Sequence, residues 1–200
     1  MMDRYAWYLA ALVSLGLLVF FAPAPAPIAA EAAPMQSVAA APTCAPDDLT
    51  LACPPQLSAA QLDAILSSYG SPATGTGAAW IAQAQRTGIN SEIAVAFFVH
   101  ESTAGTAQGW AGWKDDGSST HNVGNVVCTP GWQCYGRFRD YPTWESGIAD
   151  WYQLIAVEYV EGRGHKTVDD VIPVYAPSSE NDVQGYIDAV RRLVSQWRQF

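Results

Sequence analysis

Positive charge is scarce in this 200-residue chain: ten lysines and arginines stand against 19 aspartates and glutamates, for a net charge of −9 at neutral pH. Such a chain is a poor partner for nucleic acid, and it has no polybasic stretch to grip an anionic surface. Histidine is scarcer still, represented by His100, His121 and His165. His100-Glu101 resembles the start of a zinc-binding HExxH, but position 104 is alanine, so the second ligand is missing and no metal is expected. Neither a G-x-S-x-G elbow nor a phosphate-binding glycine loop occurs. The four cysteines form an even set, which in an exported chain reads as disulfides and leaves no thiol for a Cys–His nucleophile. No cofactor is expected.

Export is read from the N-terminus. Arg4 precedes an apolar run from Ala6 to Ala22, followed by Pro23-Ala-Pro-Ala-Pro27 and the small pair Ala29-Ala30. Residues 1–30 therefore read as a secretory signal cleaved after Ala22, near Ala30, or as a retained single membrane anchor, since the run approaches spanning length. Either reading places the rest outside the cytoplasm, secreted or tethered. Of three possible cysteine connectivities, proximity in sequence favours Cys44 with Cys53 and Cys128 with Cys134. Residues 31–57, rich in alanine and proline, are expected to be a linker with a small disulfide loop, and residues 58–200 the folded, monomeric domain.

Within that domain the periodicity is mainly helical. Ser58 with Gln61 caps a helix carrying Leu62, Ile65 and Leu66, a second helix spans about Ala78 to Thr87, and Asn90 or Ser91 caps a third. Ile93 to Val99 has no polar residue, so the third helix is expected to be buried on every side. Thr143 opens a long helix with Trp144, Ile148, Trp151, Ile155 and Tyr159 on one stripe, and Gly162 to Gly164 ends it. A short helix from Thr167 to about Tyr175 follows, and Asn181 opens a last one with Tyr186 and Trp197 facing inward. The convincing β element is a hairpin in which Val126-Val-Cys and Cys134-Tyr-Gly-Arg-Phe flank Thr129–Gln133.

Glu101 leaves the apolar helix in its last turn, with Phe97 and Phe98 on the same face one turn back. Poor solvation and the negative end of the helix dipole both disfavour its ionised form, which suits an acid that must deliver a proton near neutrality. It faces a glycine-rich loop with Trp110, an Asn122-Val-Gly-Asn125 turn, and a hairpin with Trp132 and Tyr135. Aromatic faces stack on pyranose rings and asparagine amides bond acetamido groups, so Trp110, Asn122, Asn125, Trp132 and Tyr135 are candidate sugar-binding residues.

Gly88-Ile-Asn, Ala94-Val-Ala-Phe-Phe-Val-His-Glu-Ser, Asn122-Val-Gly-Asn125, the run from Gly136 to Trp151, and Tyr175-Ala-Pro-Ser occur in that order. Together they resemble the bacterial mannosyl-glycoprotein endo-β-N-acetylglucosaminidase-type cell-wall hydrolases, relatives of goose-type lysozyme and lytic transglycosylases. The resemblance spans roughly Ser58 to Trp197. It implies a lysozyme-like helical domain that cleaves the β-1,4 bond after N-acetylglucosamine in peptidoglycan, with catalytic roles for Glu101 and Tyr175. Many relatives carry a second carboxylate in a longer hairpin, whereas no acid lies between Asp116 and Asp140. Asp115, Asp116 and Asp140 are the candidates for that part, and substrate-assisted catalysis is the alternative. A muramidase or lytic transglycosylase, or a non-catalytic glycan-binding wall module, would keep the same fold.

Overall fold

Capping chemistry sets where the helices begin in the computed structural model, which describes residues 44–199. The signal or anchor expected over residues 1–30, and the linker up to residue 43, lie outside the described residues. A capping box of Ser58 and Gln61 opens α1 (Ala59–Ser68), and Gly88 in the left-handed region ends α2 (Gly77–Thr87). Asn90 caps α3 (Ser91–Ser102) by accepting from the Ile93 N–H. After the hairpin, Thr143 caps α4 (Trp144–Leu154) and Thr167 caps α5 (Val168–Tyr175). Asp182, one residue later than the expected Asn181, caps α6 (Val183–Trp197) by accepting from the Gly185 N–H. Each such cap is worth about 1 kcal/mol.

Every residue of α3 from Ser91 to Val99 is buried, as its apolar run demands. The helix runs between α2 and α6. Phe98 packs on Trp80 at 6.0 Å and Phe97 edges against Trp151 at 5.2 Å, so neither ring meets solvent. Truncating either to alanine should cost about 3–5 kcal/mol. This rigid, dry helix holds the position of its last turn.

Three elements differ from expectation. Residues 44–57 are not a free linker: Leu49, Leu51 and Leu57 are buried, and the Asn90 N–H donates to the Leu51 carbonyl at 2.7 Å. The buried Glu92 carboxylate accepts from the backbone N–H groups of Gln56 (2.6 Å) and Leu57 (2.7 Å), while Arg198 donates to the Asp48 carbonyl at 2.8 Å. Alanine-rich composition hid three leucines with apolar surface to bury and a side-chain acceptor waiting for backbone donors.

In the hairpin, β1 (Cys134–Tyr135) pairs with β2 (Phe138–Arg139) around the tight turn Gly136-Arg137, where Gly136 has φ +58°. A positive φ at the first central position is what a two-residue II′ turn requires. Val127 then bridges to Phe138 from the other side, so Thr129–Gln133 is a loop pinned by Cys128–Cys134 rather than the hairpin turn. Finally, the stripe from Trp144 to Tyr159 crosses from α4 into a π-helical segment, Ile155–Glu161. Such segments are rare and recur near functional sites.

The cysteines pair as Cys44–Cys53 and Cys128–Cys134, bonds characteristic of an oxidising compartment. Among the described residues no helix is long and apolar enough to cross a membrane.

Candidate active site

Glu101 reaches the surface at the C-terminal end of α3, where the buried helix meets a cleft of about 400 Å³. Gly124, Asn125, Val127, Tyr159 and Tyr175 contribute to its walls. The carboxyl group is held at both oxygens. Tyr186 on α6 donates its hydroxyl to Oε1 at 2.6 Å, and Asn125 donates Nδ2 to Oε2 at 2.8 Å. The Asn125 amide has a fixed sense, because its Oδ1 accepts from the indole N–H of Trp110 at 2.7 Å and an indole can only donate.

These contacts oppose one another in their effect on the proton. Burial raises the pKa of Glu101 above the ordinary glutamate range, and the Tyr186 and Asn125 hydrogen bonds pull it partway back. Among the described residues no lysine or arginine forms an ion pair with Glu101. Arg137 and Arg139 line the same cleft but are paired with Glu180 (3.7 Å) and Asp150 (2.7 Å). The acid is therefore half-shielded, hydrogen-bonded and not neutralised by a cation, a state that can give up a proton to a ligand in the cleft.

The backbone around it is unusual. Thr103 and Ala104, just past Glu101, Asn125 beside it and His121 four residues before Asn125 have φ between 48° and 56°. A β-branched residue such as Thr103 in the left-handed region is strained, and such residues persist where the surroundings force them. Asn125, at φ 48°, turns its amide onto Glu101 through this conformation.

Tyr175 lines the same cleft. Its hydroxyl donates to the Gly124 carbonyl and accepts from the Trp151 indole N–H at 3.2 Å. With the proton directed at Gly124, the phenol oxygen has one lone pair left. Burial and the nearby Glu101 charge hold its pKa well above the usual tyrosine range, so it stays neutral. Its ring meets Phe97 edge-on at 5.4 Å, and Tyr186 packs on the same phenylalanine at 5.4 Å. One core ring thus seats both tyrosines.

The other sugar-binding candidates do not gather here. Trp110 is 6% exposed and stacked on Trp144, so it supports Asn125 instead of offering a face. Asn122 is buried, with Nδ2 donating to the carbonyls of Val126 and Arg139 and Oδ1 accepting from the Val126 N–H. All of its amide serves to tie the 122–126 loop to the hairpin. Tyr135 accepts from the Asp115 N–H at 3.0 Å, and Trp132, 45% exposed, faces a different groove. Nor do the acidic candidates approach: Asp140 pairs with Lys114 at 2.7 Å, and Asp116 bonds Ser118. The acid that does share the cleft with Glu101 is Glu180, in the loop before α6. Cys44, Asp48 and Cys53 lie together at metal-ligand spacing, but both sulfurs belong to a disulfide.

Tyr186 faces inward as its stripe implies, 3% exposed, and its hydroxyl is in addition a partner of Glu101. The usable signal was chemical: a tyrosine on a buried stripe needs somewhere for its hydroxyl. Tyr159 and Glu180 carried no signal that set them apart.

A mostly helical domain with a buried central helix, a small disulfide-pinned hairpin and an acid at the helix end defines a lysozyme-like fold. Two solved structures of S. aureus autolysin E share it, each with a TM-score of 0.56. One, a catalytic mutant in complex with the disaccharide NAG-NAM, is 11% identical and matched over 80% of this chain and 74% of its own. The other is 13% identical, over 78% and 74%. No protein-family model and no curated protein matches the sequence.

Proposed function

We propose that this protein is an exported peptidoglycan hydrolase that cleaves the β-1,4 bond after N-acetylglucosamine, with Glu101 as general acid. The observation that carries the reading is the setting of Glu101: half-buried at a cleft, pKa raised by burial, both oxygens positioned by Tyr186 and Asn125. The fold shared with an autolysin whose mutant was captured with NAG-NAM supports a glycan as ligand.

Glu101 protonates the glycosidic oxygen as the C1–O bond breaks, and positive charge develops at C1. Tyr175, neutral and with its hydroxyl donating to the Gly124 carbonyl, turns a lone pair toward that charge. The one other acid of the described cleft, Glu180, is exposed and paired with Arg137. The sugar's own acetamido oxygen then closes on C1 to form a cyclic intermediate. Water opens it, giving its proton back to Glu101.

The same want of an unpaired second carboxylate also suits a cut on the muramic acid side with intramolecular closure, and product analysis separates the two. Mass spectrometry of digested sacculi should find reducing N-acetylglucosamine ends. Reducing or anhydro muramic acid ends would move the cut and overturn the assignment, and intact glycan would leave only a binding module.

A further inference from the structure

A second groove, of about 520 Å³, opens between the 129–133 loop, the exposed side of α4 and the end of α2, and it shares no lining residue with the Glu101 cleft. Its floor carries the indole of Trp132, one of the most exposed large hydrophobic side chains of the described protein. A flat ring left 45% exposed invites an explanation when it is held so firmly. The Arg139 guanidinium lies 4.1 Å from the ring centre, Tyr141 meets it edge-on at 6.1 Å, and the Cys128–Cys134 bridge closes the loop on which it stands. Arg139 is itself fixed by Asp150 at 2.7 Å and Thr129 at 3.3 Å. The ring is preorganised, so a ligand that stacks on it loses little freedom in the protein.

The polar groups around it narrow the ligand. Gln133 and Gln153 offer neutral amides, while the Ser146 hydroxyl is taken up in the α4 cap and Arg86 already bonds Gln83 and Gln153. Both carboxylates of the groove are neutralised, Asp140 by Lys114 and Asp150 by Arg139. An aromatic plane beside neutral amides matches a pyranose, whose C–H face stacks while its hydroxyls bond at the edge. A cation finds no free carboxylate there; Arg86 bonds only neutral amides, but one exposed guanidinium on a chain of net charge −9 is a poor grip for an anionic polymer.

We propose that the Trp132 groove is a second glycan-binding site that holds a neutral stretch of sugar polymer beside the cleft containing Glu101. The idea rests on the reading that this protein works on glycan strands. Arg139 is the partition between the two sites: it lines the Glu101 cleft, stacks on Trp132 and bonds Asp150 of the second groove.

The test is sedimentation with protein-free sacculi in a Glu101→Gln background, where bound polymer is not expected to be cut, with chitohexaose as competitor. Adding Trp132→Ala should weaken binding about tenfold, and Gln153→Ala, a change on the exposed side of α4, should weaken it about threefold. Native melting temperatures would show that the fold is kept. Unchanged binding in Trp132→Ala, or binding that chitohexaose does not displace, overturns the groove. Cleavage is scored apart from binding. Release of reducing ends by the Glu101→Gln variant would defeat the proposed function while leaving the binding comparison readable, and loss of the groove would leave that function standing.

Discussion

The hydroxyl of Tyr186 lies 2.6 Å from Oε1 of Glu101 and joins the end of α3 to the start of α6 across 85 residues of sequence. A donor aimed at a carboxylate favours its ionised form, so Tyr186 restrains a pKa that burial pushes upward. Tyr186→Phe keeps the ring on Phe97 and removes that restraint. The alkaline limb of the pH–rate profile should therefore move to higher pH while the fold is retained. A profile that keeps its position, with only its height changed, would reduce Tyr186 to packing.

Stability should report the same proton. Glu101 binds a proton more tightly folded than unfolded, so its contribution is complete below the ordinary glutamate pKa and is lost as pH rises through the raised value. Glu101→Gln has no such loss. As pH rises from the ordinary glutamate pKa through the raised value, the variant should gain in melting temperature relative to the parent. The opposite slope would mean that the carboxylate is better solvated in the folded state than its burial implies.

The two asparagines of the 122–125 turn should separate cleanly. Asn122→Ala strands buried backbone groups of Val126 and Arg139 and should cost about 1–3 kcal/mol of stability. Asn125→Ala frees Glu101 Oε2 and strands the Trp110 indole, so turnover should fall about a hundredfold, the scale of a misplaced reacting group. Calorimetry should find both variants less stable, rate measurements under folded conditions should find the loss of turnover in Asn125→Ala, and equal losses of turnover would refute the division.

Much of this was legible in the residues, for reasons that differ from site to site. The capping pairs Ser58–Gln61 and Asn90–Ile93 are local, and the apolar run of α3 has one physical solution, so helices and core could be placed without coordinates. Glu101 stood out for the same reason: an acid separated from the end of a buried run by one residue. Partners distant in sequence were not legible. Tyr186 sits on an ordinary amphipathic stripe, and Trp110 and Trp132 are alike in composition, yet one is buried behind Asn125 and the other stands open. The hairpin register turned on Gly136, which carries the positive φ, and not on the longer Thr129–Gln133 loop.

Gly124 marks the tightest approach in the site. A Cβ there would run into the Tyr175 hydroxyl and the Trp151 ring. Gly124→Ala should cost about 1–3 kcal/mol by overpacking and displace Tyr175 from the cleft. A variant as stable and as active as the parent would show that the two aromatic side chains are not fixed by this contact.

The central claim is that Glu101 delivers the proton. Turnover of purified peptidoglycan by Glu101→Gln, compared with the parent at matched binding, tests it most directly. The loss should be at least about 10²-fold, the contribution of a positioned proton donor, with the fold and wall binding intact. Parent-like turnover in that variant would contradict the account.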